Sequence, residues 1–113
     1  MENQIKLNEE RLELLDKLKQ INPEVMTKEW EVLDIAYAEG ALSTKVKRLM
    51  ALAIAIRHGC SNCILGQVHH AINAGATKEE FLETISVGIA MSGTSGVAES
   101  LRVVKLLTEH GIL

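Results

Sequence analysis

Apolar residues recur along this chain at helical spacing. Within about residues 7–21, Leu12, Leu15, Leu18 and Ile21 return every three positions among Glu, Lys and Asp, the pattern of an amphipathic helix. Asn22-Pro23 ends it. Proline fits the first turn of a second helix at about residues 24–39, with Val25, Met26, Trp30, Leu33, Ala36 and Tyr37 on its apolar face and Gly40 as its stop. Ser43 or Thr44 is the expected N-cap of a third helix reaching about residue 57. Residues 49–56 are apolar on every side, which makes this helix central, with neighbours all round. Gly59 breaks the pattern, and a fourth helix is expected from near residue 60 to 73 or 74, closed by a left-handed Gly75. Thr77 and Glu80 form a capping box for a fifth helix at about 78–91 that presents Phe81, Leu82, Ile85 and Ile89. Ser-Gly-Thr-Ser-Gly at 92–96 interrupts it. A last helix at about 97–109 carries Leu101, Val104 and Leu107, and Gly111 releases the tail. No strand-like alternation, repeat or linker is visible, so the expected fold is all-α, about six helices in a single domain over residues 1–113.

Composition narrows the partners. A chain of 113 residues that is 47% hydrophobic fits one domain. A net charge of -3 leaves no basic footprint for a phosphate backbone, and only Trp30, Tyr37 and Phe81 could stack on bases, so no nucleic-acid partner is expected. The N-terminal stretch is charged, unlike a secretory signal. The apolar run 49–56 stops at Arg57, well short of the roughly 20 residues that span a bilayer, so no membrane association is expected. A cytoplasmic location follows as the expectation, and in a reducing compartment a close cysteine pair is more often catalytic or metal-binding than a structural staple. A small domain rarely encloses a helix like the third one, and the leftover apolar surface predicts a homo-oligomer; the alternative is a fully enclosed monomer core.

The chemistry concentrates between Ser43 and Thr77, which holds both cysteines and three of the four histidines. Cys60 and Cys63 are one helical turn apart and share a face. A helix N-terminus, with its free N–H groups and positive dipole end, stabilises the thiolate, Cys60 more strongly than Cys63. Such a pair can cycle between dithiol and disulfide, one sulfur attacking and the other resolving the intermediate. At about 100° per residue, Gln67 lies one turn beyond Cys63 on its face and His70 two turns beyond, while His69 points elsewhere. The rise of about 10 Å over seven residues leaves His70 to act through water or on a substrate lying along that face. His58 is a further candidate base. The competing readings are a structural metal half-site and two buried inert thiols. Zinc would need two more ligands, which adjacent His69 and His70 cannot both supply, so no metal is expected.

The segment KVKRLMALAIAIRHGCSNCILGQVHHAINAGATKEEFLETISVGIAMSGTSG resembles the core of the carboxymuconolactone decarboxylase superfamily, in particular its AhpD-like alkylhydroperoxidase branch. The most specific elements are the CxxCI at 60–64, Ala71, and Gly-Ala-Thr at 75–77 followed by an acidic pair. The resemblance covers roughly residues 42–98, leaving 1–41 as N-terminal helices and 99–113 as the C-terminal helix. It implies an all-helical fold assembling into trimers or hexamers, and a cysteine pair that reduces hydroperoxides with no bound cofactor. It further implies Cys63 as the sulfur that attacks peroxide and Cys60 as its resolving partner, the reverse of the dipole ranking. The branch's proton relay uses a histidine four residues after the second cysteine and a glutamate about twelve before the first. Here those positions hold Gln67, which does not titrate, and Arg48, which cannot be a base but favours a nearby thiolate, with His69, His70 or His58 left to act as acid. The expected activity is thiol peroxidase or disulfide reductase, acting on a small hydroperoxide or disulfide and drawing electrons from an unspecified thiol reductant. The alternatives are a lactone decarboxylase, for which the sequence shows no clear pocket of arginines and histidines, and a non-catalytic oligomeric binding protein.

Overall fold

A computed structural model describes residues 1–113 as six helices with no strand: α1 (Gln4–Ile21), α2 (Pro23–Ala36), α3 (Thr44–His58), α4 (Ser61–Asn73), α5 (Lys78–Ser92) and α6 (Thr94–Glu109). The all-α expectation holds. Helix α3 packs against α4, α5 and α6, and α1 crosses α4 and α6 on its way to α2, whose backbone approaches α1 alone. Leu52 and Ile56 of α3, Ile64 and Val68 of α4, Phe81 of α5, and Val103 and Leu107 of α6 are all sealed from solvent. Each such side chain contributes about 1.5–3 kcal/mol through the apolar surface it removes from water.

Local signals set most boundaries. The Ser43 hydroxyl accepts from Val46 N–H at 3.1 Å and starts α3. Thr77 and Glu80 form the reciprocal capping box at α5, and Gly59 and Gly75 adopt the left-handed conformation at φ 76° and 87°. Pro23 occupies the first turn of α2.

Four expectations need correction. First, α2 stops at Ala36 and not at residue 39. The Tyr37 and Ala38 carbonyls accept instead from Thr44 Oγ1 at 2.7 Å and Lys47 Nζ at 2.6 Å, so α3 holds this loop in a non-helical path. Second, only Gly93 lies outside helix in the 92–96 segment. Gly96 is inside α6, where its missing side chain lets α6 close onto Gly88 and Ile89 of α5. Third, the tail is not released. Gly111, at φ 73°, turns it back, and Ile112 N–H donates to the Leu107 carbonyl at 2.9 Å, with Ile112 and Leu113 half-buried against the core.

The fourth correction bears on function. The leucine stripe of α1 is not its core face: Leu12, Leu18 and Ile21 are 41%, 39% and 70% exposed, whereas Gln4 and Asn8 are buried. Glu109, at the end of α6, accepts the N–H groups of Gln4 and Ile5 at 2.7 and 3.1 Å, and Arg102 donates to Gln4 Oε1 at 2.5 Å. These bonds lay the N-terminal half of α1 on α6, with Ile5 and Leu7 against the core, and leave the stripe from Leu12 to Ile21 facing α2 and solvent. Helix α3 is likewise not enclosed. Leu52, Ala55 and Ile56 are buried, but Met50 and Ile54 remain 48% and 66% exposed, which contradicts the closed monomer core.

Candidate functional site

Gly59 ends α3, and Cys60 becomes the N-cap of α4. Its sulfur accepts the Cys63 backbone N–H at 3.2 Å, the position that a serine or aspartate oxygen fills at many helix starts. The two cysteines are joined as a disulfide with their Cα atoms 5.2 Å apart, and no free cysteine remains. Cys63 is exposed and Cys60 half-buried. This contradicts the reading as two buried inert thiols.

Cys63 borders a cavity of about 800 Å³ that runs along α1 and is closed by α2 and α4. Gln67, His69 and His70 of α4 line it, with Arg48 from α3, Arg11 from α1 and Arg102 from α6. Leu12, Leu15, Leu18, Trp30 and Leu33 supply its apolar end. His58 is exposed at the end of α3 and takes no part. His69 was expected to point away from the cysteine face, yet it lines the same cavity, its ring centroid 5.6 Å from that of His70. Helix α1 crosses α4 here, with the Arg11 side chain over Gly66. A Cβ at Gly66 would meet the Arg11 guanidinium at 3.3 Å, so the glycine leaves room for that group to lie over α4.

Arg48 and Gln67 belong to one cluster. Arg48 Nη1 donates to Gln67 Oε1 at 3.3 Å, Gln67 Nε2 donates to the Tyr37 hydroxyl at 3.4 Å, and the Arg48 guanidinium lies 3.5 Å from the Tyr37 ring centroid. The stack fixes a cation beside Gln67, the residue one turn of α4 beyond Cys63. Burial lowers the Arg48 pKa and the neighbouring Tyr37 raises it, but an arginine keeps its charge at neutral pH. Arg11 is also lowered by burial; its Nε donates to Asn8 at 2.9 Å, and its Nη2 is shielded from solvent without a partner. No carboxylate pairs with Arg11, Arg48 or Arg102.

Burial, followed by the charges of Arg48, His69 and Arg11, brings the His70 pKa down to about 4. Burial, then Arg11 and His110, lowers His69 as well. His70 is therefore neutral at physiological pH, one ring nitrogen donating a hydrogen bond and the other open to accept a proton. The unfolded chain, titrating near 6.5, binds the extra proton at higher pH than the folded protein does at about 4. Stability is expected to fall as pH drops through that window and to level off below it. The ring is open to solvent on one side, which screens the effect. Urea midpoints across the window check this, and His70→Gln is expected to flatten the loss.

Tyr37, Arg11, Arg102 and Trp30 are site residues that the sequence reading did not single out, and the gathering of three arginines and two histidines around one cavity corrects the expectation of no such pocket. No local pattern marks them, since residues 11, 30, 37 and 102 meet only through the packing of α1 and α6 against α4, of α2 against α1, and the path of the loop after α2.

A profile of the carboxymuconolactone decarboxylase family matches residues 23–106, from α2 nearly to the end of α6 and so beyond the 42–98 segment. An uncharacterized protein of Cupriavidus necator is 34% identical over 79 residues, 70% of this chain and 70% of its own length. An uncharacterized protein from the cox locus of Paracoccus denitrificans is 35% identical over 75 residues, 66% of this chain and 68% of its own. Among solved structures, the apo form of a carboxymuconolactone decarboxylase family protein from Legionella pneumophila superposes with a TM-score of 0.90 at 27% identity, covering 96% of this chain and 97% of the other. A family protein from Thermotoga maritima, with an antioxidative role suggested for it, superposes with a TM-score of 0.75 at 23% identity over 96% and 97% of the two chains. Sequence and fold agree, and this chain belongs to the carboxymuconolactone decarboxylase family.

Proposed function

We propose that the protein is a thiol-dependent oxidoreductase of the AhpD-like kind that reduces hydroperoxides through the Cys60–Cys63 pair. The observation that carries this reading is the disulfide at the start of α4, with Cys63 exposed on the wall of a cavity. The cycle begins from that disulfide. A dithiol reductant attacks Cys63, and Cys60 leaves as a thiolate held by the Cys63 N–H and the helix N-terminus. The reductant's second thiol then displaces Cys63, leaving with its own disulfide. The Cys63 thiolate, favoured by Arg48, takes the terminal oxygen of a hydroperoxide and becomes a sulfenic acid. The alkoxide takes a proton from water and departs as an alcohol. Cys60 displaces hydroxide from the sulfenic sulfur and restores the disulfide, so one hydroperoxide and one dithiol yield one alcohol, one water and one disulfide. The suggested role of the Thermotoga maritima neighbour points the same way, but the reading rests on this chain's cysteines. With dithiothreitol as donor, the protein is expected to consume hydroperoxide catalytically; no rate above that of dithiothreitol alone would refute the reading.

The competing lyase reading draws support from the arginines of the cavity. It predicts carbon dioxide release from a carboxylactone that survives both Cys60→Ser and Cys63→Ser.

The reading includes a homo-oligomer, a trimer or hexamer. Its support is the apolar surface left outside, where Ile54, Val87, Met91 and Leu101 are 66%, 58%, 71% and 54% exposed. Light scattering of the purified protein tests it, and a monomer at micromolar concentration would count against it.

A further inference from the structure

The cavity beside Cys63 is divided by charge. Along α1, Arg11 stands opposite Arg48, His69 and His70, whereas the following turns, with Leu12, Leu15 and Leu18, face Trp30 and Leu33 of α2. About 10 Å of helix separates Arg11 from Leu18. At the cationic end no arginine is paired with a carboxylate. Glu2, Glu10 and Asp34 also line the cavity, yet none forms an ion pair with an arginine. Arg48 spends one donor on an amide, and Arg11 keeps a nitrogen with no acceptor. An uncompensated cation at a partly buried site is costly, and an anion from outside removes the cost.

We propose that the cavity binds an apolar molecule carrying one carboxylate, its anionic head between Arg11 and Arg48 beside Cys63 and its hydrocarbon body in the α1–α2 cleft. That this ligand is the hydroperoxide substrate rests on the redox reading above; the binding itself does not. A long-chain organic hydroperoxide with a terminal carboxylate has this chemistry, and reduction of its O–O bond by the dithiol yields the hydroxy acid and water. The low pKa of His70, due to burial and then to the charges of Arg48, His69 and Arg11, agrees with a positive potential at this end of the cavity. A compact dicarboxylate would leave the apolar end unfilled.

Trp30 is the only tryptophan of the chain and lines the cavity, so its fluorescence reports occupancy. The oxidised protein is titrated, without peroxide, with decanoate, decanol and glutarate. Decanoate is expected to give a saturable change, with decanol at least about tenfold weaker and glutarate weaker still. Arg11→Gln and Arg48→Gln are expected to weaken decanoate to the level of decanol while leaving decanol binding unchanged, which also shows that the cavity is intact. Equal binding of decanoate and decanol, tighter binding of glutarate, or no saturable response would overturn the proposal. Because no electron transfer is involved, failure of the redox reading shows in peroxide turnover and not in this titration.

Discussion

Cys63→Ser is expected to reduce dithiol-driven hydroperoxide consumption at least about a thousandfold, to background, because it removes the attacking sulfur from a centre that works as a unit. Cys60→Ser is also expected to lose turnover, but by a different route. Its remaining Cys63 still attacks peroxide once and then waits as a sulfenic acid with no partner to resolve it. Dimedone labelling followed by intact-mass measurement separates the two variants: an adduct is expected in Cys60→Ser and none in Cys63→Ser. The reverse pattern would give the attack to Cys60, as the helix dipole taken alone ranks the two. Exposure of Cys63 at the cavity wall is what tips the assignment, since Cys60 is half-buried and its sulfur already accepts the Cys63 N–H.

Gly96→Ala is expected to cost about 2 kcal/mol of stability, the overpacking penalty less the roughly 1 kcal/mol that alanine gains over glycine inside a helix. A Cβ there would meet the Gly88 carbonyl oxygen and Ser92 Cβ at 2.9 Å and Ile89 Cα at 3.0 Å. Two of these three are backbone atoms of α5, so relief requires the two helices to part. A drop in melting temperature of roughly 10 °C would accompany the change. Gly66→Ala is the informative contrast. Its obstruction is the end of the flexible Arg11 side chain at 3.3 Å, which can swing away, so stability should change less while the cavity is disturbed. Equal melting temperatures for Gly96→Ala and the parent protein would contradict the close packing of α5 on α6.

Much of the frame was readable because it is written in short-range signals. The Thr77–Glu80 capping box, the left-handed Gly59 and Gly75, Pro23 at a helix start and the one-turn spacing of Cys60 and Cys63 each act within about one helical turn, where sequence spacing is geometry. From these alone, Gln67 is placed one turn beyond Cys63, and Gln67 does line the cavity with it. What escaped was set by tertiary contact. The leucines of α1 look like a core face, but Glu109 and Arg102 of α6 bind its first turn and turn Gln4 and Asn8 inward. The segment at 92–96 looks like a loop by composition; Gly96 is instead small because α6 passes close to α5. Arg11 and Tyr37 carry no local mark: Arg11 becomes a site residue only when α1 is laid beside α4, and Tyr37 only when the loop after α2 brings its hydroxyl to Gln67.

The most direct measurement is the intact mass of the fully reduced protein before and after one equivalent of hydroperoxide. A redox-active Cys60–Cys63 centre predicts the loss of two hydrogens, reversed by dithiothreitol. An unchanged mass, with both thiols still free to alkylate, would contradict it.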